Sequence, residues 1–338
     1  MSTTVKIGLI GFGRIGKIHF NNIQQRIPEG EIIIVSDPVA DFSGISVAVG
    51  SVDDVISHPD VEAVILCSPT DTHADYVEKA ALSGKHIFCE KPLDLSLERI
   101  IRTLELVDET GVKLMLGFNR RFDANFLKIK NLVNNGDIGE PQLVKVTSRD
   151  PGPPPLSYLK ESGGMFLDMT IHDFDMARYI MGKEVKQVYA SAAVFWGEEI
   201  KAAEDIDTAV ITLKFEDDSM AVIDNSRKAV YGYDQRLEVF GSKGMVNVDN
   251  NKPDNHFFYN EKGVHSALPL HFFLERYTES YLSEMREFIS ALQNDKPVSV
   301  GGEDALKATL IALAAKKSVQ ENRPVTIEEI KESLGISI

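Results

Sequence analysis

Asp168-Met169-Thr170-Ile171-His172 sets a carboxylate and an imidazole four residues apart, and Asp175 follows seven residues after the first. On a helix this spacing puts all three on one face. A carboxylate beside an imidazole holds one tautomer and supports the protonated ring, which is the equipment of proton transfer. The same residues have plainer readings. Carboxylates favour the start of a helix, and Asp and His also ligate zinc. Gly163-Gly164 break the chain just ahead, and an apolar-polar helical pattern runs from there to about Met181.

The first third of the chain carries a second set of candidates. Gly11-Phe12-Gly13-Arg14-Ile15-Gly16 is a G-x-G-x-x-G between an apolar run, Val5–Ile10, and an amphipathic helix reaching Arg26. The first glycine permits a tight turn, the second lets backbone approach a pyrophosphate, and the third lets helix pack on strand. Asp37 ends a second run, Glu31–Ser36. A carboxylate there accepts hydrogen bonds from an adenosine ribose and repels a 2′-phosphate, so NAD is expected rather than NADP. Its plainer reading is a turn residue before Pro38.

Two turns follow the carboxyl ends of later apolar runs, where open α/β sheets bind ligands. Ser68-Pro69-Thr70-Asp71-Thr72-His73 follows Glu62–Cys67, and Glu90-Lys91-Pro92 follows Lys85–Cys89. His73 reads equally as a helix-start hydrogen bonder or a cofactor contact. Pro92 holds Lys91 extended, where an ammonium can polarise an alcohol oxygen. An exposed turn lysine is the alternative.

Five or six strands alternate with helices up to Gly117–Asp123, which predicts a doubly wound parallel sheet. The segment 38–50 breaks the pattern: it has little helical periodicity where a crossover helix is usual, and that helix reads as lost or very short. After a helix over Ala124–Asn134 and a strand over Gln142–Ser148 comes a proline-rich loop. Strands are then expected over Val185–Trp196, Ile206–Phe215, Met220–Ala229, Arg236–Phe240 and Met245–Val248, turning at Asp217-Asp218 and Ser242-Lys243-Gly244. Their succession without helices predicts a mainly antiparallel sheet. Two amphipathic helices, Tyr277–Gln293 and Glu303–Gln320, close the chain.

At 338 residues the chain exceeds one small core, and we divide it at 1–121 and 122–338. Net charge is −15, which disfavours nucleic acid as a partner. No run is long enough to span a membrane. Met1-Ser2-Thr3-Thr4 leads straight into a strand without a leader, and the two cysteines, Cys67 and Cys89, read as buried free thiols. A cytoplasmic setting is expected.

Taken together, these motifs resemble the Gfo/Idh/MocA oxidoreductase family over nearly the whole chain. The residues carrying the resemblance are Gly11–Gly16, Glu90-Lys91-Pro92 and Asp168-x-x-x-His172. Arg120-Arg121-Phe122-Asp123, Ser148-Arg149-Asp150-Pro151 and Tyr231-Gly232-Tyr233-Asp234 resemble its inositol 2-dehydrogenase branch. The resemblance implies an α/β fold: a Rossmann domain followed by an α+β domain with an open, mainly antiparallel sheet, assembled through that sheet as a homotetramer.

It also implies NAD-dependent oxidation of a cyclitol, foremost myo-inositol to 2-keto-myo-inositol (scyllo-inosose), as part of myo-inositol catabolism. The alternatives are another polyol or sugar dehydrogenase, or an NAD-dependent glycosidase. Lys91, Asp168 and His172 would form the catalytic group. Gly11, Phe12, Gly13, Arg14, Ile15, Gly16, Asp37, Ser68, Pro69, His73, Glu90, Lys91 and Arg120 would bind the cofactor. Asp150, Thr170, Asp175 and Tyr231 would meet the substrate beside the catalytic three. No metal is expected in the reaction, because Lys91 serves as electrophile.

Overall fold

The structure, a computed structural model, describes residues 4–336, less the side chain of Lys160. Met1–Thr3, expected to precede the first strand without a leader, lie outside it. The chain divides into two compact units. The first comprises residues up to Phe122 together with Glu279–Thr309; the second comprises Asp123–Thr278 and the residues from Leu310 onward.

The first unit is a parallel sheet of β1 (Val5–Ile10), β2 (Gly30–Ser36), β3 (Ala48–Val49), β4 (Ala63–Leu66), β5 (His86–Glu90) and β6 (Leu114–Gly117), in the order β3-β2-β1-β4-β5-β6. This is the doubly wound order, reversing direction beside β1. The strands are near-continuous Val, Ile and Leu because helices cover both faces. Those helices include α1 (Arg14–Arg26), α2 (Val52–Ser57), α3 (His73–Leu82) and α4 (Leu97–Thr110). Ser51 starts α2 with a reciprocal capping box to Asp54. No helix fills the segment between β2 and β3; instead Ala40, Phe42, Ile45 and Val47 pack against the core, with Phe42 5.5 Å from Phe12 ring to ring.

The segment Glu279–Thr309 departs from the expected division at 121/122. Helix Thr278–Gln293 buries Leu282, Met285, Phe288 and Ile289 among Val5, Leu9, Ile32 and Phe88 of the first unit. Its apolar stripe is legible in the sequence, but a stripe does not say which core it will join.

The second unit is built on α5 (Ala124–Asn134), β7 (Pro141–Arg149), α6 (Leu156–Glu161), α7 (Met165–Asp168), α8 (Ile171–Met181) and five further strands. These are β8 (Val185–Ala193), β9 (Thr208–Phe215), β10 (Met220–Ser226), β11 (Asp234–Gly241) and β12 (Gly244–Val248). A separate hairpin, β13 (Phe257–Asn260) with β14 (Gly263–Ser266), precedes the short edge strand β15 (Val325–Thr326). The sheet order is β12-β11-β7-β10-β9-β8-β15. Every pairing is antiparallel except β7 with β10, which runs parallel.

Strand β8 stops at Ala193, short of the expected Trp196. Here the N–H groups of Phe195 and Trp196 turn to donate to the Asp207 carboxylate, at 2.8 and 2.7 Å. Among the described residues, no helix is long and apolar enough to cross a membrane.

Candidate functional site

The glycine loop behaves as its spacing predicts. A Cβ at Gly11 would stand 2.4 Å from the Cys67 backbone, and one at Gly16 2.0 Å from the Gly11 carbonyl. Gly11 also adopts φ +92°, which L side chains rarely take. At Gly13, by contrast, a Cβ would meet nothing within 4 Å. Gly13 caps α1 without a side-chain bond, and no acidic residue occupies the first turn. The loop therefore leaves the positive end of the helix to an outside anion, and it fits a dinucleotide pyrophosphate.

Asp37 holds this loop in shape. One carboxylate oxygen accepts from the Phe12 N–H at 2.7 Å, and the other accepts from Val39 and Ala40 at 2.9 and 3.0 Å. A carboxylate has about four lone-pair sites, so capacity remains for a ribose. Phe12 itself differs from expectation as a cofactor contact. Its N–H is given to Asp37 and its ring packs on Phe20 and Phe42, because an aromatic in the loop gains most by burial. Arg14 is exposed and Ile15 half-buried, at the start of α1.

The two turns at the carboxyl ends of β4 and β5 are tied together. The His73 ring is buried and lies between the Ser68 carbonyl, 2.9 Å from Nε2, and the Pro92 carbonyl, 2.8 Å from Nδ1. Both ring nitrogens thus have partners inside the protein, as the hydrogen-bonding reading of His73 expects. Ser68 Oγ pairs with Thr72 Oγ1 at 2.7 Å, and the Pro69 carbonyl accepts from the Thr72 hydroxyl at 2.6 Å. Lys91 is half-buried, and its peptide to Pro92 is cis. Arg120 is buried in the 3₁₀ turn Asn119–Phe122.

Glu90 also departs from the cofactor role. Its carboxylate turns inward, to within 3.0 Å of His19 Nε2 on α1, and covers Gly117. Cys67 joins His19 and Glu90 there, one donor atom from each lying within 4.8 Å of the others. Glu284, from helix Thr278–Gln293, is fully buried beside them. Burial, then the Glu90 charge, pushes its carboxyl well above the usual range. Burial and the neighbouring acids likewise push the Cys67 thiol up.

In the second unit Asp168 closes α7 and His172 lies in the first turn of α8. The expected single helix is interrupted between them. The Thr170 N–H reaches back five residues to the Met165 carbonyl at 2.9 Å, a widened turn. The cause lies on the sheet: Thr170 Oγ1 donates to Asn225 Oδ1 at 2.7 Å, and Asn225 Nδ2 donates to Asp173 at 2.9 Å and to the Ser148 carbonyl at 3.2 Å. Thr170, expected at the substrate, is fully buried in this network, with its hydroxyl given to Asn225. Asp175 is also buried, on α8, while Asp150 and His172 are half-buried.

Asp168 is held from two sides. The Tyr158 hydroxyl donates to Oδ1 at 2.8 Å, and Arg227 Nη1 donates to Oδ2 at 3.2 Å. Arg227 is 1% exposed and gives its other nitrogen to Asp205 at 3.3 Å; Asp205 in turn accepts the Met165 N–H that starts α7, at 2.9 Å. Burial and the Asp168 charge push the Tyr158 phenol far up, so it remains a donor. The sequence reading missed Tyr158, Asp205, Asn225 and Arg227. One signal was available: Ala221, Ile223, Asn225 and Arg227 keep the inward phase of β10, so two polar residues stand where apolar ones belong.

Tyr231, expected at the substrate, sits in an ionic network. Its hydroxyl donates to Asp234 at 2.5 Å and accepts from Arg149 Nη1 at 3.0 Å. Arg149 also pairs with Asp224, while Arg236 and Asn250 bind Asp234. Burial alone would raise the Asp234 carboxyl, but these donors hold it below its ordinary value. Tyr231 here orders a surface of charges, because both sides of its hydroxyl already have partners.

Comparison with known proteins covers both units. Residues 5–118 match the family described as oxidoreductase family, NAD-binding Rossmann fold, and residues 126–247 match the GFO/IDH/MocA C-terminal domain. The chain is 48% identical over 333 residues to a myo-inositol 2-dehydrogenase of Thermotoga maritima, covering 96% of this chain and 99% of that protein. Among solved structures, a probable dehydrogenase from Thermotoga maritima superposes with TM-score 0.94 at 48% identity, covering 96% of this chain and 100% of the other. A scyllo-inositol dehydrogenase from Lactobacillus casei, solved with NAD(H) and scyllo-inositol, gives TM-score 0.89 at 33% identity, covering 96% and 100%.

Proposed function

Because the chain belongs to the Gfo/Idh/MocA oxidoreductase family, we propose that it oxidises the C2 hydroxyl of myo-inositol to the ketone with NAD as cofactor. The observation that carries this reading is the end-to-end 48% identity to a myo-inositol 2-dehydrogenase. The geometry of each unit supplies the parts. Gly11, Gly13, Gly16 and Asp37 would hold NAD, which would supply the acceptor for the hydrogen leaving carbon. His172 takes the hydroxyl proton as general base. Asp168 would hold that imidazole in the useful tautomer, and Arg227 and Tyr158 fix the position of Asp168. Lys91 stabilises the alkoxide as the proton leaves.

A second reading, oxidation of scyllo-inositol, is supported by the likeness to the Lactobacillus casei enzyme. A panel of myo-inositol, scyllo-inositol and glucose, each with NAD and with NADP and read as reduced cofactor by absorbance, separates the two. Highest kcat/KM on myo-inositol with NAD is expected. A clear preference for another polyol, or none for any, would overturn the assignment.

We place the enzyme in cyclitol catabolism in the cytoplasm, as a homotetramer assembled through the second unit's sheet. Tyr189, Val210, Met220, Phe240 and Met245 line the outer face of that sheet and are exposed, the kind of apolar surface that oligomers cover. A sedimentation mass of a single chain would remove the assembly from the proposal.

A further inference from the structure

The interior of the first unit gathers four potential ligands that the redox reaction does not use. His19 comes from α1, Cys67 from the end of β4, Glu90 from the end of β5 and Glu284 from helix Thr278–Gln293. The donor atoms of His19, Cys67 and Glu90 lie within 4.8 Å of one another, the nearest two at 3.0 Å. Bonds of roughly 2.0–2.3 Å in a tetrahedral zinc site place donors about 3.3–3.8 Å apart, so only small adjustments separate this arrangement from a coordination sphere.

One polar group here is left over. Glu284 is 0% exposed, and neither of its oxygens has a hydrogen-bond partner among the described residues. Buried polar atoms without partners are costly, and each calls for an occupant or a reason. The surroundings make the cost larger. Phe88 and Tyr281 stand edge-on to the His19 ring at 5.2 and 5.7 Å, so the walls are aromatic. Glu284 is near enough for its charge to act on Cys67, and the Glu90 charge acts on it in turn.

We propose that His19, Cys67 and Glu90 bind one divalent cation of the zinc class, and that the buried Glu284 carboxylate turns in as its fourth ligand. Imidazole, thiolate and carboxylate are zinc's usual donors, and a mixed set containing sulfur does not suit magnesium or calcium. The ion would join four elements that are distant in sequence, so its role is structural. The site lies wholly in the first unit and does not depend on which alcohol the enzyme oxidises.

The test uses untagged full-length protein freed of metal by a chelator. It is titrated with zinc chloride by calorimetry and, separately, with cobalt chloride by absorbance. One equivalent of zinc per chain is expected, together with a thiolate-to-cobalt charge-transfer band and a rise in melting temperature on adding zinc. Cys67→Ser should abolish the band, and Glu284→Gln should weaken zinc binding roughly tenfold or more while keeping the band. No stoichiometric binding, a cobalt spectrum without the thiolate band, or unchanged affinity in both variants would overturn the proposal. The wild-type cobalt spectrum decides the matter even if a variant fails to fold.

Discussion

Replacing Arg227 with methionine tests how the second unit prepares its carboxylate. Methionine keeps the bulk and removes the charge. Arg227 is 1% exposed and serves Asp168 and Asp205 at once, whose side chains are 13% and 7% exposed. Removing one partner of a buried ion pair costs about 3–5 kcal/mol. The lower end applies here, because Tyr158 still donates to Asp168, the Met165 N–H still donates to Asp205, and Asp168 can reach some water. At about 2–4 °C per kcal/mol for a unit of this size, about 3 kcal/mol predicts a fall in melting temperature of roughly 6–12 °C.

The kinetic effect should be separable from that loss. With one of its two tethers gone, Asp168 is less firmly placed for the role proposed for it, and kcat should fall about 10- to 100-fold when assayed well below the melting temperature, with KM changed less. Arg227→Lys sharpens the comparison. A single ammonium keeps the charge but cannot span two carboxylates as the guanidinium fork does. It should recover more of the melting temperature than of kcat. Scanning calorimetry and steady-state kinetics on both variants supply the readings. An Arg227→Met enzyme melting within about 2 °C of the parent and turning over within about twofold of it would refute the clamp.

Three further outcomes are expected. His172→Ala should lower turnover about 100-fold or more while leaving NAD binding, read by quenching of protein fluorescence, near normal; near-full activity would remove His172 from the base role. Asp37→Ala should narrow the preference for NAD over NADP, and should also raise the KM for both, because the variant loses the bonds to Phe12, Val39 and Ala40 that shape the loop. An unchanged cofactor ratio would count against the ribose assignment. Asp217, in the β9–β10 turn, has its carboxyl lowered to about 2 by Lys183, Ser219 and their hydrogen bonds. A depressed folded-state value adds stability above the ordinary carboxylate range of about 4 and loses it as pH falls towards 2. Asp217→Asn should therefore melt below the parent at neutral pH and converge with it near pH 2 to 3; parallel melting curves across that window would refute the coupling.

The local pattern carried the architecture further than it carried the site. Strands β1 and β2, the helix Ala124–Asn134 and the turns at Asp217 and Ser242 were legible because each depends on neighbours in the chain. The absence of a crossover helix at 38–50 was equally legible, since periodicity is a local property. The parallel pairing of β7 with β10 was not, because strand partners are chosen by closure of the whole sheet. The candidate site residues divided along the same line. The Asp168-x-x-x-His172 spacing was visible, but not the break between α7 and α8 that separates the two. Thr170, His73, Glu90 and Tyr231 were visible as polar groups near the right turns, yet the fold has turned each towards an internal partner.

By itself, then, the order of residues determined what backbone geometry requires: the glycine loop, the strand-helix alternation, the Asp-x-x-x-His step and the family they signal. Only the tertiary structure decided which polar side chains are spent on one another. Arg227 meets Asp168 across 59 positions, Asn225 meets Asp173 across 52, and Glu284 comes to rest beside Glu90 from the far end of the chain. A buried charge is tolerated only where partners converge, and that convergence arises when the cores close.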